Sequence, residues 1–120
     1  MFISGGRMEF YQPKIQDDES IRKEINGKGR HLMFLSATWC PECKMIKPFI
    51  KRIKNEVSQT AEWFDVDRDA NIKIAREQNI HSMPKFVLYE DGKYITYYGD
   101  GQALKEADVL TWYRSTLKYS

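Results

Sequence analysis

The sequence predicts an α/β domain, a central mixed sheet of four to five strands with helices on both faces. Three observations carry that expectation. Short strand-like and helix-like stretches alternate along the chain. Within residues 31–36, Leu32, Met33, Phe34 and Leu35 form an unbroken apolar run, the makeup of a central strand covered on both faces. Asp91-Gly92 separates the strand-like segments Lys85–Glu90 and Lys93–Tyr98, as the turn of an antiparallel hairpin does.

In chain order, residues 1–16 read as a leader with a possible edge strand at 9–12, and residues 17–120 as one domain. Residues 1–7 lack the charged start and apolar stretch of an export signal, and Met8 offers an alternative start. Asp17, Asp18 and Glu19 lead into a helix over 20–26, stopped by Gly27 and Gly29. After the strand at 31–36 comes the clearest helix, where Ile46, Phe49, Ile50, Ile53 and Val57 recur at steps of three and four. Pro48 lies inside it and predicts a kink, because proline lacks an amide donor and crowds the preceding turn. Glu62–Asp67 reads as a second core strand and 70–78 as a short helix. The final helix, over 104–117, places Leu104, Ala107, Leu110 and Leu117 on its apolar stripe with Tyr113 beside it.

Composition removes several function classes. Lys and Arg total 19 against 17 Asp and Glu, a net charge of +2, with bases and acids interleaved. That balance argues against a dedicated nucleic-acid or membrane-surface binder. The longest apolar runs, 32–35 and 86–89, fall far short of the roughly 20 residues a membrane span needs. Tyr94, Tyr97 and Tyr98 read as hairpin packing rather than a base-stacking platform. The expected location is the cytoplasm and the expected state a monomer.

Chemistry concentrates at the only two cysteines, Cys40 and Cys43. A secreted disulfide framework would use more, and a bridge closing so small a loop stabilises little. A Cys-x-x-Cys at a strand-to-helix junction places the first thiol at a helix N-terminus, where unpaired amides and the macrodipole favour a thiolate. The first cysteine is expected near the surface and the second one turn further in. A structural metal site would need two more ligands, and His31 and His81 are the only histidines. They read as a strand-start and a loop residue, so neither a metal nor an organic cofactor is expected.

Trp39-Cys40-Pro41-Glu42-Cys43-Lys44 resembles the active-site motif of the thioredoxin family, and Met83-Pro84 ahead of a strand resembles its cis-proline loop. The resemblance covers about residues 17–118 and implies the thioredoxin fold and thiol–disulfide oxidoreductase activity. It makes Cys40 the attacking and Cys43 the resolving sulfur. Trp39, Met83 and Pro84 become substrate-binding residues, and Pro41 and Glu42 tune the thiol. The implied partners are a protein disulfide substrate and a dithiol electron donor such as a thioredoxin reductase. A non-enzymatic module that binds a partner and uses the cysteines only to modulate affinity is the competing reading.

The sequence also departs from the family. Pro41-Glu42 replaces the common Gly-Pro, and a carboxylate beside Cys40 opposes the helix dipole; it also suits a first helical turn regardless of chemistry. Thioredoxins usually bury an aspartate six residues before the first cysteine, often with a lysine partner. Those positions fall on Phe34 and Trp63, which are expected to pack together instead.

Overall fold

The computed structural model describes residues 11–118. The elements run α1 (Asp18–Ile25), β1 (Arg30–Ser36), α2 (Pro41–Val57), β2 (Glu62–Asp67), α3 (Ile72–Glu77), β3 (Lys85–Glu90), β4 (Lys93–Tyr98) and α4 (Glu106–Leu117). The four strands lie in the order β2-β1-β3-β4. β1 runs parallel to β2 and antiparallel to β3, and β3 pairs antiparallel with β4. This is the mixed α/β sheet that the sequence predicts. Of the possible first strand at 9–12, residues 9 and 10 lie outside the described residues, and Tyr11 and Gln12 are irregular.

Strand alternation sorts the core into two layers. Leu32, Phe34, Phe86 and Leu88 face α2 and α4, where they meet Ile46, Ile50, Ile53, Val57, Val109 and Tyr113. Met33, Leu35, Phe64, Val66, Val87 and Tyr89 face the opposite way, onto Ile21, Ile25 and Ile74. β1 is buried from His31 to Ser36 because both layers cover it. α1 starts on Asp17, whose carboxylate accepts the Ser20 amide at 2.8 Å. The β3–β4 turn places Asp91 and Gly92 both at positive φ, as a two-residue hairpin requires.

Three expectations need correction. Phe49 points partly to solvent, and the buried stripe of α2 is Cys43, Ile46, Ile50, Ile53 and Val57. On α4 the buried residues are Val109 and Tyr113, whereas Ala107 and Leu117 are exposed. The helix starts at Glu106, and its rotation is set by Tyr113, whose bulk fills the space between α2 and the sheet and whose hydroxyl meets Thr60 at 2.6 Å. Tyr11, assigned to the leader by sequence, belongs to the core: its hydroxyl donates to Asp65 at 2.7 Å.

α2 runs unbroken through Pro48. Behind the loop that carries Met83 and Pro84, Gly99 has a φ of 110°, and a Cβ there would lie 2.5 Å from the Pro84 carbonyl oxygen. Only a glycine allows that approach. Gly99→Ala is therefore expected to cost about 2 kcal/mol or more, from the unfavourable φ together with displacement of the loop. Urea unfolding of the two proteins checks this, and coincident midpoints would contradict it.

Candidate active site

β1 delivers the chain to the site. At its end the Ser36 carbonyl accepts the Arg68 amide at 2.9 Å, tying the strand end to the segment after β2. The chain then turns, with the Cys40 amide donating to the Ala37 carbonyl at 3.3 Å. Cys40 is the N-cap of α2, and its Sγ accepts the Cys43 amide at 3.1 Å. Pro41 occupies the first turn, where its missing N–H costs nothing. The sulfur thus does what a capping oxygen usually does, and a thiolate would do it more strongly.

Cys40 is more sheltered than its motif position suggests: it is 3% exposed, and Cys43 is fully buried. Ala37 and the two cysteines pack together under Met83, which closes over them from the loop before β3. The exposed position goes to Trp39 instead. That side chain is 56% exposed, and its Nε1 donates to Asp69 Oδ2 at 2.6 Å. Cys40 Sγ faces two acceptors, the Met83 carbonyl oxygen at 3.7 Å and Glu42 Oε1 at 4.0 Å. The Met83–Pro84 peptide is cis. All seven residues singled out by sequence, Trp39, Cys40, Pro41, Glu42, Cys43, Met83 and Pro84, lie in these two adjoining segments.

Both cysteines are free thiols, and their surroundings differ. Burial first, and then the hydrogen bond with Cys40, push the Cys43 thiol from 9.0 up to about 12, while the Ala37 backbone and, more weakly, Lys47 one helical turn on pull the other way. Cys43 is held in the protonated form.

Where the motif's usual charged pair would sit, the structure places aromatic packing. Phe34 stacks on Phe86 with centroids 5.0 Å apart and tilts against Trp63 at 5.9 Å. The acid that sequence reasoning missed is Asp65, directly opposite Phe34 in the β1–β2 register and buried. Its carboxylate accepts from the Tyr11 hydroxyl, the Lys14 amide and Trp63 Nε1. Strand alternation could have found it, since Trp63 and Asp65 must share a face. His31 bonds to Glu24 and the Lys28 carbonyl, and His81 to Asn79. Among the described residues no group of three or more His, Cys, Asp or Glu could hold a metal ion.

A family model for thioredoxin matches residues 12–112. The chain is 33% identical over 91 residues to an H-type thioredoxin of Chlamydomonas reinhardtii, covering 73% of this chain and 78% of that protein. It is 35% identical over 78 residues to a thioredoxin of Mycolicibacterium smegmatis, covering 62% and 70% respectively. Its fold matches the oxidised mitochondrial thioredoxin 3 of Saccharomyces cerevisiae with a TM-score of 0.70 at 22% identity, covering 86% of this chain and 94% of that one. The chain belongs to the thioredoxin family, as a thioredoxin-type disulfide oxidoreductase.

The asymmetry of the two thiols has two consequences. Iodoacetamide at neutral pH should label Cys40 well before Cys43, because only a thiolate alkylates and burial keeps Cys43 protonated; faster labelling of Cys43 would contradict this. The raised Cys43 value also fixes a sign. Between about pH 9 and about 12 the unfolded chain loses this proton and the folded one keeps it, so stability falls as pH rises. The reduced protein should lose stability across that window more steeply than Cys43→Ala, as read from urea midpoints at stepped pH.

Proposed function

We propose that the protein reduces protein disulfides, with Cys40 as the attacking sulfur and Cys43 as the resolving one. The supporting observation is the Cys43 amide on Cys40 Sγ at 3.1 Å, which favours negative charge on the capping sulfur and keeps the two cysteines within one turn. The Cys40 thiolate attacks one sulfur of the substrate disulfide. A Cys40–substrate bond forms, and the first substrate thiolate leaves and takes up a proton. Cys43 loses its proton and attacks Cys40 Sγ, releasing the second substrate thiol and leaving a Cys40–Cys43 disulfide. Two electrons pass to the substrate, and a dithiol donor such as a thioredoxin reductase restores them. The reading suits a reducing compartment such as the cytoplasm.

Substrate recognition would use the Met83 backbone. An extended substrate segment can add alongside it as a strand does, displacing the Cys40 thiol from the Met83 carbonyl. Met83 offers an adaptable apolar contact and exposed Trp39 a flanking one. Pro84 fixes the loop that presents Met83.

Insulin reduction with dithiothreitol as donor tests the roles. Cys40→Ser should abolish turnover, and Cys43→Ser should accumulate a mixed disulfide that dithiothreitol releases. Undiminished insulin reduction by Cys40→Ser would remove this mechanism; inactive wild-type protein that still bound a partner would favour a binding module.

Direction depends on Glu42. Its carboxylate, at 4.0 Å, disfavours charge on the Cys40 sulfur and so favours the disulfide form of the pair. Half-buried, it is worth around 1 kcal/mol, or about 20–30 mV. Glu42→His should therefore make the protein more oxidising by at least that amount. Equilibration against glutathione measures it, and an unchanged or lower potential would refute the assignment.

A further inference from the structure

The charges of α2 are sorted by side in a way the linear sequence hides. At about 100° per residue, Lys44, Lys47, Lys51 and Lys54 fall within about 80° of arc, along the shoulder next to the buried Cys43–Ile46–Ile50–Ile53–Val57 stripe. Both acids of the helix, Glu42 and Glu56, lie on the stripe's other side, where Glu56 pairs with Arg114. Arg52, also away from the lysine shoulder, pairs with Glu106. The ridge begins one residue past Cys43 and runs roughly 15 Å down the helix.

Its surroundings are shaped as well as charged. At the end nearest the cysteines, Tyr11 and Gln12 join Lys44 and Lys47 in lining a cleft of about 380 Å³. At the far end Lys54 Nζ reaches the Tyr11 hydroxyl at 3.4 Å and lies 5.3 Å from the ring centre. The acid beneath, Asp65, is buried and already holds three donors, so it offers the ridge no exposed carboxylate. Helical repulsion among lysines three and four apart costs stability. A folded chain that keeps such a row beside its reactive sulfurs presents a surface complementary to anions.

We propose that this ridge docks an acidic segment next to the disulfide of the protein being reduced, an inference that rests on the redox reading above. Its length matches about four to five extended residues. Its start, about 6 Å along the axis from Cys40, places the first acidic residue about two positions from the substrate cysteine. Charges at such a rim act on the encounter, so they choose among disulfides before any sulfur reacts.

The test uses pre-reduced full-length protein and three disulfide peptides of equal length, whose flanks beyond the cysteine are Asp-rich, Ser/Gly-neutral or Lys-rich. Second-order rate constants are read in single turnover. At low salt the acidic peptide should react about tenfold faster than the neutral one, and the advantage should shrink to about twofold at high salt. Lys44→Glu with Lys51→Glu leaves the ridge with no net charge and should bring the acidic-to-neutral ratio close to one at every salt concentration. Lys93→Glu, a single charge reversal on the distant β4 edge, should leave the ratio in place. A wild-type ratio near one, a ratio unmoved by the double substitution, or an equal effect from Lys93→Glu would overturn the proposal. Failure of even the neutral peptide to react would instead overturn the redox reading. The salt dependence of the wild-type ratio stands without any variant.

Discussion

The 3.1 Å contact from the Cys43 amide to Cys40 Sγ exists only if α2 begins at one residue, and the chain holds that start from several sides. β1 is immobilised by two apolar layers, and Arg68 clamps its last carbonyl. Three residues of turn separate the strand end from the cap, which leaves the helix start little slack. Pro41 pre-sets the first helical φ. On the far side, the Met83 loop covers the sulfurs and is backed by Gly99, where only a hydrogen atom fits against the Pro84 carbonyl. Shifting the start of α2 by one residue would rotate Cys43 by about 100° and lose both its burial and the cap.

Replacing a charged pair by Phe34 and Trp63 changes what that frame is made of. Four aromatic rings, those of Tyr11, Phe34, Trp63 and Phe86, meet on the α2 side of the sheet with centroids 5.0–6.4 Å apart. Their polar ends converge on Asp65, which satisfies Tyr11 and Trp63 in one place. This layer has traded a titratable group beneath the cysteines for rigid packing with a saturated carboxylate. Phe34 therefore offers Cys43 no proton partner, and the ionisable side chains of α2 within about one turn of it are Glu42 on one side and Lys44 and Lys47 on the other.

Short-range spacing made much of this legible in the sequence. The strand bounds at Glu62–Asp67, Lys85–Glu90 and Lys93–Tyr98, the Asp-Gly turn and the helix cap follow from patterns a few residues long, whereas the packing of Phe34 with Trp63 was legible only through the family resemblance. The losses were long-range. Of the expected α4 stripe, Leu104 and Leu110 pack on the core but Ala107 and Leu117 do not, and Val109 takes their place because α4 is oriented by α2 and the sheet, not by its own composition. Cys40 is buried because Met83, forty-three residues later, arrives above it. Tyr11 looked like leader because its partner, Asp65, is fifty-four residues away. Thin apolar stripes with a single large aromatic leave helix rotation open, and only the tertiary fit closes it.

The sorted charges of α2 act on the two sulfurs in opposite senses. The helix start favours charge on Cys40, and Glu42 at 4.0 Å works against it. Burial holds the proton on Cys43, and Lys47 works against that. Each side chain thus opposes the backbone or solvation effect at its own cysteine. On one helix, the same segregation that sets the redox pair also leaves a lysine face turned toward whatever approaches it.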